Sequence, residues 1–239
     1  MQLSAGPDRH LRVGECAFAV AEWQWPLEER HRSEIALNWQ RRLGVLPSLF
    51  DGTVYLSRDH AVDAGRLTGT LFKTDFKTLL YWRSLPFAAS DTVREVNGYA
   101  LIRSADGCLL FGRQAAGQLN SGRIYPPSGV IDAADIAGNV FSIDASTARE
   151  LAEETGLKAG DLERGPGYVV AQSGLEVAVG IEWRSRLPAV ELRQQILDFL
   201  RADATPELDD IVIVASEREL TDANVPVPAR LLAQAIFSV

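Results

Sequence analysis

Between residues 149 and 157 the chain reads Arg-Glu-Leu-Ala-Glu-Glu-Thr-Gly-Leu, and the spacing of its carboxylates is the strongest chemical signal in the sequence. Wound as an α-helix, the stretch brings Glu150, Glu153 and Glu154 within roughly one third of the circumference, at about 100° per residue. Ala148, Leu151, Ala152 and Thr155 fall on the opposite arc, where they can pack against a sheet. Glu150 and Glu154 are four residues apart and repel each other, by about 0.2–0.5 kcal/mol in an isolated helix. Arg149, four residues before Glu153, offsets part of that repulsion. So crowded a face makes sense beneath a hard divalent cation. Mg²⁺ takes oxygen ligands, keeps several waters and is commonly shared with substrate phosphates. A merely solvated acidic face is the plain alternative, and the register of one Arg, three Glu and a closing Gly speaks against it.

Both ends of the helix can be read locally. Ser142 suits an N-cap and Asp144 sits in the first turn, near the positive end of the helix dipole. Gly156 can take the left-handed conformation that closes a helix, and Leu157 can fold back onto the last turn. These signals predict a helix over residues 143–155.

At these residues the chain resembles the Nudix hydrolases. The box of that family runs Gly, five residues, Glu, seven residues, then Arg-Glu-apolar-any-Glu-Glu-any-Gly-apolar, and its second half is matched without a departure at Arg149–Leu157. The first half departs. Pro127-Ser128-Gly129 looks like the Pro-Gly-Gly entry, but Gly129 lies six residues further from Arg149 than the family spacing allows. Counting forward from Gly129 puts the box Glu at Asp135; counting back from Arg149 puts it at Phe141. A short insertion within 132–140 accounts for both.

The resemblance implies an α/β fold, a Nudix-like α/β/α sandwich with a mixed sheet, over roughly residues 94–239. It also implies Mg²⁺, or Mn²⁺, bound between a diphosphate and Glu150, Glu153 and Glu154. Glu153 and Glu154 are then the principal ligands, Glu150 a further ligand or base, and Arg149 a residue that orients Glu153. A further acid often comes from a loop before a late strand, here Glu207 in Thr205-Pro206-Glu207-Leu208, with Glu182 as the alternative. Arg113, Arg123 and Gly129 are the candidates for contacting substrate. The activity implied is hydrolysis of a diphosphate bond in a nucleoside diphosphate linked to another moiety, nucleotide-sugar-like or related. The competing reading is a catalytically weakened Nudix-like nucleotide sensor.

The rest of the chain must position these groups. Its 239 residues suit one large domain or two small ones, and the division expected is an N-terminal α+β segment over 1–90 and a hydrolase domain over 91–239. Strand-like residues 12–24 precede an amphipathic helix over 27–43, with Ile35, Leu37, Trp39 and Leu43 as its buried side. Strands over 53–57 and 66–74, a helix over 75–83 and a linker over 84–92 follow. Strands over 96–103 and 107–112 form a hairpin about Ser104-Ala105-Asp106-Gly107. Later strands lie over 167–172, 176–183 and 209–215, and later helices over 190–201 and 229–237. In residues 176–183 large apolar side chains alternate with small or acidic ones, which predicts one buried face. Trp23, Trp25, Trp39 and Trp82 concentrate in the N-terminal part, either as core or as one wall of a nucleotide pocket.

Several function classes fall away. A net charge of −8 argues against a general surface for nucleic acid, although a bound cation would admit small phosphorylated substrates. His10, His31 and His60 show no zinc-ligand spacing, and neither a nucleophile elbow nor a phosphate-binding P-loop is present. Cys16 and Cys108 read as reduced core thiols. No signal peptide or membrane span is legible, so a cytoplasmic protein is expected. The partner expected is a small-molecule nucleoside diphosphate derivative, with a homodimer as the one assembly to look for.

Overall fold

The computed structural model describes residues 8–86 and 92–238; of the linker expected over 84–92, residues 87–91 lie outside the described residues. The chain opens with β1 (Arg9–Val13), β2 (Glu15–Val20), α1 (Pro26–Arg30) and α2 (Arg32–Val45). A long hairpin follows, β3 (Thr53–Asp63) and β4 (Arg66–Asp75), then α3 (Phe76–Trp82), capped by Asp75, whose carboxylate accepts from the Thr78 amide. Next come β5 (Glu95–Arg103), β6 (Leu109–Gln114), and the short β7 (Ile124–Tyr125), β8 (Ser128–Val130), β9 (Ile136–Ala137) and β10 (Val140–Phe141). Helix α4 (Ile143–Thr155) leads to β11 (Glu163–Arg164), β12 (Tyr168–Ser173) and β13 (Glu176–Arg184). The chain closes with α5 (Ala189–Ala202), β14 (Leu208–Val214) and α6 (Val227–Phe237).

Nine strands form the larger sheet, whose main path runs β1-β12-β13-β5-β6-β14, with β13 and β5 parallel and their outer neighbours antiparallel. Strand β5 shows how it is covered. Tyr99 and Leu101 point into a core with Leu232, Ala233 and Ile236 of α6, while Ala100 and Ile102 meet Leu151 of α4 and Leu192 and Ile196 of α5. Helices on both faces of a mixed sheet make the α/β/α sandwich. Strand β13 accordingly has both faces buried, correcting the single buried face expected from its alternation. Small and acidic residues on its second face, Ala178 and Glu182, read as polar pattern in sequence but are sheltered under α6 and by paired arginines.

The smaller sheet runs β3-β4-β2-β10-β9. Its strands come from both sides of residue 91, as do those of the larger sheet, where β1 pairs with β12. Trp25 and Trp82 are core, packed edge to face with ring centroids 5.7 Å apart and joined by Phe72. Helix α2 buries only Ile35; Leu37, expected on the buried side, is exposed, and Trp39 and Leu43 are half-buried. His31 is half-buried and hydrogen-bonded to the Tyr81 hydroxyl rather than freely solvated. Cys16 and Cys108 are free, half-buried thiols. None of the described helices is long and apolar enough to cross a membrane.

Candidate active site

Helix α4 spans the residues its caps predict. Ser142 Oγ accepts from the Ala145 amide at 3.2 Å, and Gly156 takes φ 71° with its amide on the Ala152 carbonyl. The helix lies close over β5 because Gly98 has no side chain: a Cβ there would come within 2.7 Å of Thr147 Oγ1. Asp144 also anchors the first turn, accepting from Arg164 Nε at 2.6 Å and the Tyr168 hydroxyl at 2.5 Å.

With the helix so fixed, its carboxylates meet two other elements. Glu154 is buried, and its Oε1 accepts from the Ser128 amide at 3.0 Å; its Oε2 is buried with no hydrogen-bond partner among the described residues. Glu150 lies against Gly129, where a Cβ would come within 2.1 Å of Glu150 Oε1. Gly129 therefore leaves room for the carboxylate where it stands. From the other side comes the loop before β14, held by the Ala115 amide on the Glu207 carbonyl at 2.8 Å. The result is a cleft of about 330 Å³ lined by Glu150, Glu153, Glu154, Asp203 and Glu207, among others. Sequence reasoning missed Asp203, which follows the last turn of α5 and carries no motif of its own.

Burial sets the electrostatics. It pushes the Glu150 carboxyl up to about 7 against the lowering influence of Arg149, with Glu153, Asp135 and Glu207 adding to the rise. Glu154 is raised well above the usual carboxylate range, by burial first and then by Glu150. Burial thus makes both carboxyls favour the proton more than a solvated carboxylate does.

Arg149 ties the first half of the motif to the second. Its guanidinium meets Glu153 at 2.7 Å, Glu150 at 2.8 Å and both oxygens of the buried Asp135 at 3.1 Å. Asp135 closes its own turn as well, accepting from the Asp132 amide at 3.1 Å. The count forward from Gly129 thus lands on the residue that bonds the arginine. The extra residues lie beyond it, in the hairpin of β9 and β10, which turns at Gly138 (φ 63°).

The remaining candidates separate. Arg123 is exposed on the rim of a second cleft that Ser128 and Gly129 also line. Arg113 lines neither cleft and is paired with Asp210 at 3.2 Å, since its place on β6 faces the partner strand β14. Glu182 is held between Arg103 and Arg184 at 3.0 and 2.8 Å, away from the acidic cleft. Histidines are absent from the residues lining either cleft.

The group the carboxylates could hold is a divalent cation. Among the described residues no three carboxylate, imidazole or thiolate groups form a ready-made metal cluster. The acids share a cleft without closing a shell of their own; a hard cation bound there would be held by these carboxylates and would supply positive charge to phosphate oxygens. Glu154 Oε2, buried with no hydrogen-bond partner among the described residues, fits such an ion.

No family model matches the chain, and no curated protein does. Among solved structures, a MutT protein from Methanosarcina mazei Go1 is 22% identical, with 60% of this chain and 92% of that one covered at a TM-score of 0.40. A Nudix hydrolase from M. smegmatis, RenU, is 16% identical over 59% of this chain and 83% of its own, at 0.39. The NrtR of Shewanella oneidensis is 18% identical over 60% of each chain, also at 0.39. The chain is similar to these Nudix-type structures at low identity.

Proposed function

We propose that the chain hydrolyses the diphosphate bond of a nucleoside diphosphate linked to another moiety, using Mg²⁺ or Mn²⁺ at the acidic cleft. The observation that carries this reading is the gathering of Glu150, Glu153, Glu154 and Glu207 on one cleft beside the Ser128–Gly129 strand. When bound, the cation would neutralise phosphate oxygens and make water a better nucleophile. Glu153 and Glu154 are assigned as principal ligands, with Glu150 and Glu207 as a further ligand or base. Glu154 is held for that task by the Ser128 amide. Glu150 sits buried at the floor, where a carboxyl near neutrality can take up or release a proton. Arg149 positions Glu150 and Glu153 while Asp135 holds the arginine. Arg123, on the rim, is assigned to the phosphates.

The test is a panel of diphosphate-linked nucleosides incubated with and without Mg²⁺ and read by product mass. Cleavage into two phosphorylated products only with the cation is expected. Binding of the compounds without cleavage would favour a nucleotide sensor instead.

A further inference from the structure

The core between the two sheets turns polar at one end. On β1, Leu11 and Val13 pack in that core, and Arg9 shares their face of the strand. Arg9 Nη2 donates to Oε1 of the buried Gln172 on β12 at 3.1 Å. From the smaller sheet His60 faces the same space. It stands opposite Gly69, whose missing side chain leaves room for the Phe18 ring, and it shares a strand face with Val62; Phe18 and Val62 both belong to that core. The buried Arg94 is fixed alongside, its backbone bonded to Ser57 of β3 in both directions at 2.8 Å. His60 is 7% exposed, and neither of its ring nitrogens has a hydrogen-bond partner among the described residues; the same holds for Arg9 Nε. Burial first, then the charge of Arg94, lowers the His60 pKa to about 4, with Arg9 adding to the fall and Asp59 opposing it. Asp59 is itself paired with Arg58 at 3.4 Å. The imidazole is therefore neutral at pH 7 and stands in a positive field.

Buried donors left unpaired are costly, and a positive field decides which acceptor relieves them best. We propose that Arg9 and His60 form a binding site for a small inorganic anion such as chloride, held between the guanidinium Nε–H and an imidazole N–H. A single-atom anion accepts from several donors at once, in charge-assisted bonds stronger than those to water. It also needs little more room than one water, about 30 Å³. Because Arg9 belongs to the larger sheet and His60 to the smaller, the ion would fasten the two sheets at this end. The site is independent of the proposed activity, whose acids lie on α4 and in the loop before β14.

The experiment follows thermal unfolding as sodium gluconate, an anion too large for such a site, is replaced by sodium chloride at constant ionic strength. It is run on the wild type, Arg9→Gln and His60→Leu, and crystals of the wild type grown with sodium bromide locate the halide by anomalous scattering. The wild-type melting temperature should gain about 3–6 °C more from chloride than either variant does, at roughly ten times the dissociation constant. Bromide should lie within hydrogen-bond distance of Arg9 Nε and of one imidazole nitrogen. Equal chloride responses in the wild type and in whichever variant folds overturn the proposal. A water in place of bromide overturns it as well, even where neither variant folds. Bromide in the crystal with no chloride response of the wild type in solution is binding at crystal concentration only, and it too overturns the proposal.

Discussion

The two halves of the segment from Gly129 to Leu157 are held in place by different means. Residues 143–155 are shaped almost wholly by their neighbours: a serine cap, a glycine stop and an apolar arc spaced for a helix. Residues 129–141 are shaped from a distance. The Tyr55 amide bonds the Ile131 carbonyl at 2.9 Å, and the Val20 amide bonds the Asn139 carbonyl at 3.2 Å. Strand β10 pairs with β2, and Phe141 packs on Phe18 with centroids 6.0 Å apart. The acidic helix is thus a local object, and the loop facing it is a long-range one, stitched to strands that lie far earlier in the chain. Ile131, Asn139, Val140 and Phe141 are the residues that reach them.

That contrast is sharpest at Glu154 and Glu153. Glu154→Gln or Glu153→Gln should lower kcat/KM with Mg²⁺ by orders of magnitude, because a charged ligand is lost with little change of volume. Glu154→Gln should leave the metal-free melting temperature equal or higher, since it relieves a buried carboxyl. Wild-type turnover in both variants would remove these residues from the mechanism.

Asp135→Asn probes the join between the halves. It should cost about 10- to 100-fold in turnover, as loss of a group that orients a ligand does, and about 3 kcal/mol of stability from the broken buried ion pair. A loss equal to that of Glu154→Gln would make Asp135 part of the chemistry rather than a holder of Arg149. Phe141→Ala breaks the stitching itself. About 3 kcal/mol of stability should go, from the emptied volume beside Phe18, while the folded fraction keeps kcat within about tenfold. Denaturant unfolding and kinetics on the same samples separate the two effects.

The smaller sheet carries its own pH signature. His60 is buried there, neither ring nitrogen has a hydrogen-bond partner among the described residues, and burial lowers its pKa to about 4. Between about pH 6.5 and 4 the unfolded chain binds the proton and the folded one does not, so stability falls as pH falls through that window. The loss levels out below pH 4, at roughly 3 kcal/mol. His60→Leu should flatten this part of the pH-stability curve; an unchanged slope would show that other groups carry it.

How much of this was legible follows from the same contrast. The helix, its caps and its three glutamates stood in the sequence because each is a short-range pattern; the candidacy of Glu207 came only from the family resemblance. The sandwich was expected from the resemblance carried by residues 149–157. The pairing of β10 with β2 was not, because two-residue strands carry no period to read. Leu37 misled because helix α2 is half-buried at most, so an apolar residue on it need not face a core. Arg113 looked like a phosphate contact until Asp210, nearly a hundred residues away, proved to be its cross-strand partner. The hydrogen-bonded Glu95, Asn97 and Glu176 join two strands that become neighbours only in the folded sheet.

Whether the acidic cleft holds a divalent cation against a diphosphate is read by Mn²⁺ titration followed by electron paramagnetic resonance. The titration is made with a non-cleavable methylene-bridged nucleoside diphosphate present, on the wild type, Glu154→Gln and Glu182→Gln. Mn²⁺ should bind at least about tenfold more weakly to Glu154→Gln than to the wild type, and Glu182→Gln should match the wild type. Equal Mn²⁺ affinity in the wild type and Glu154→Gln would contradict the account.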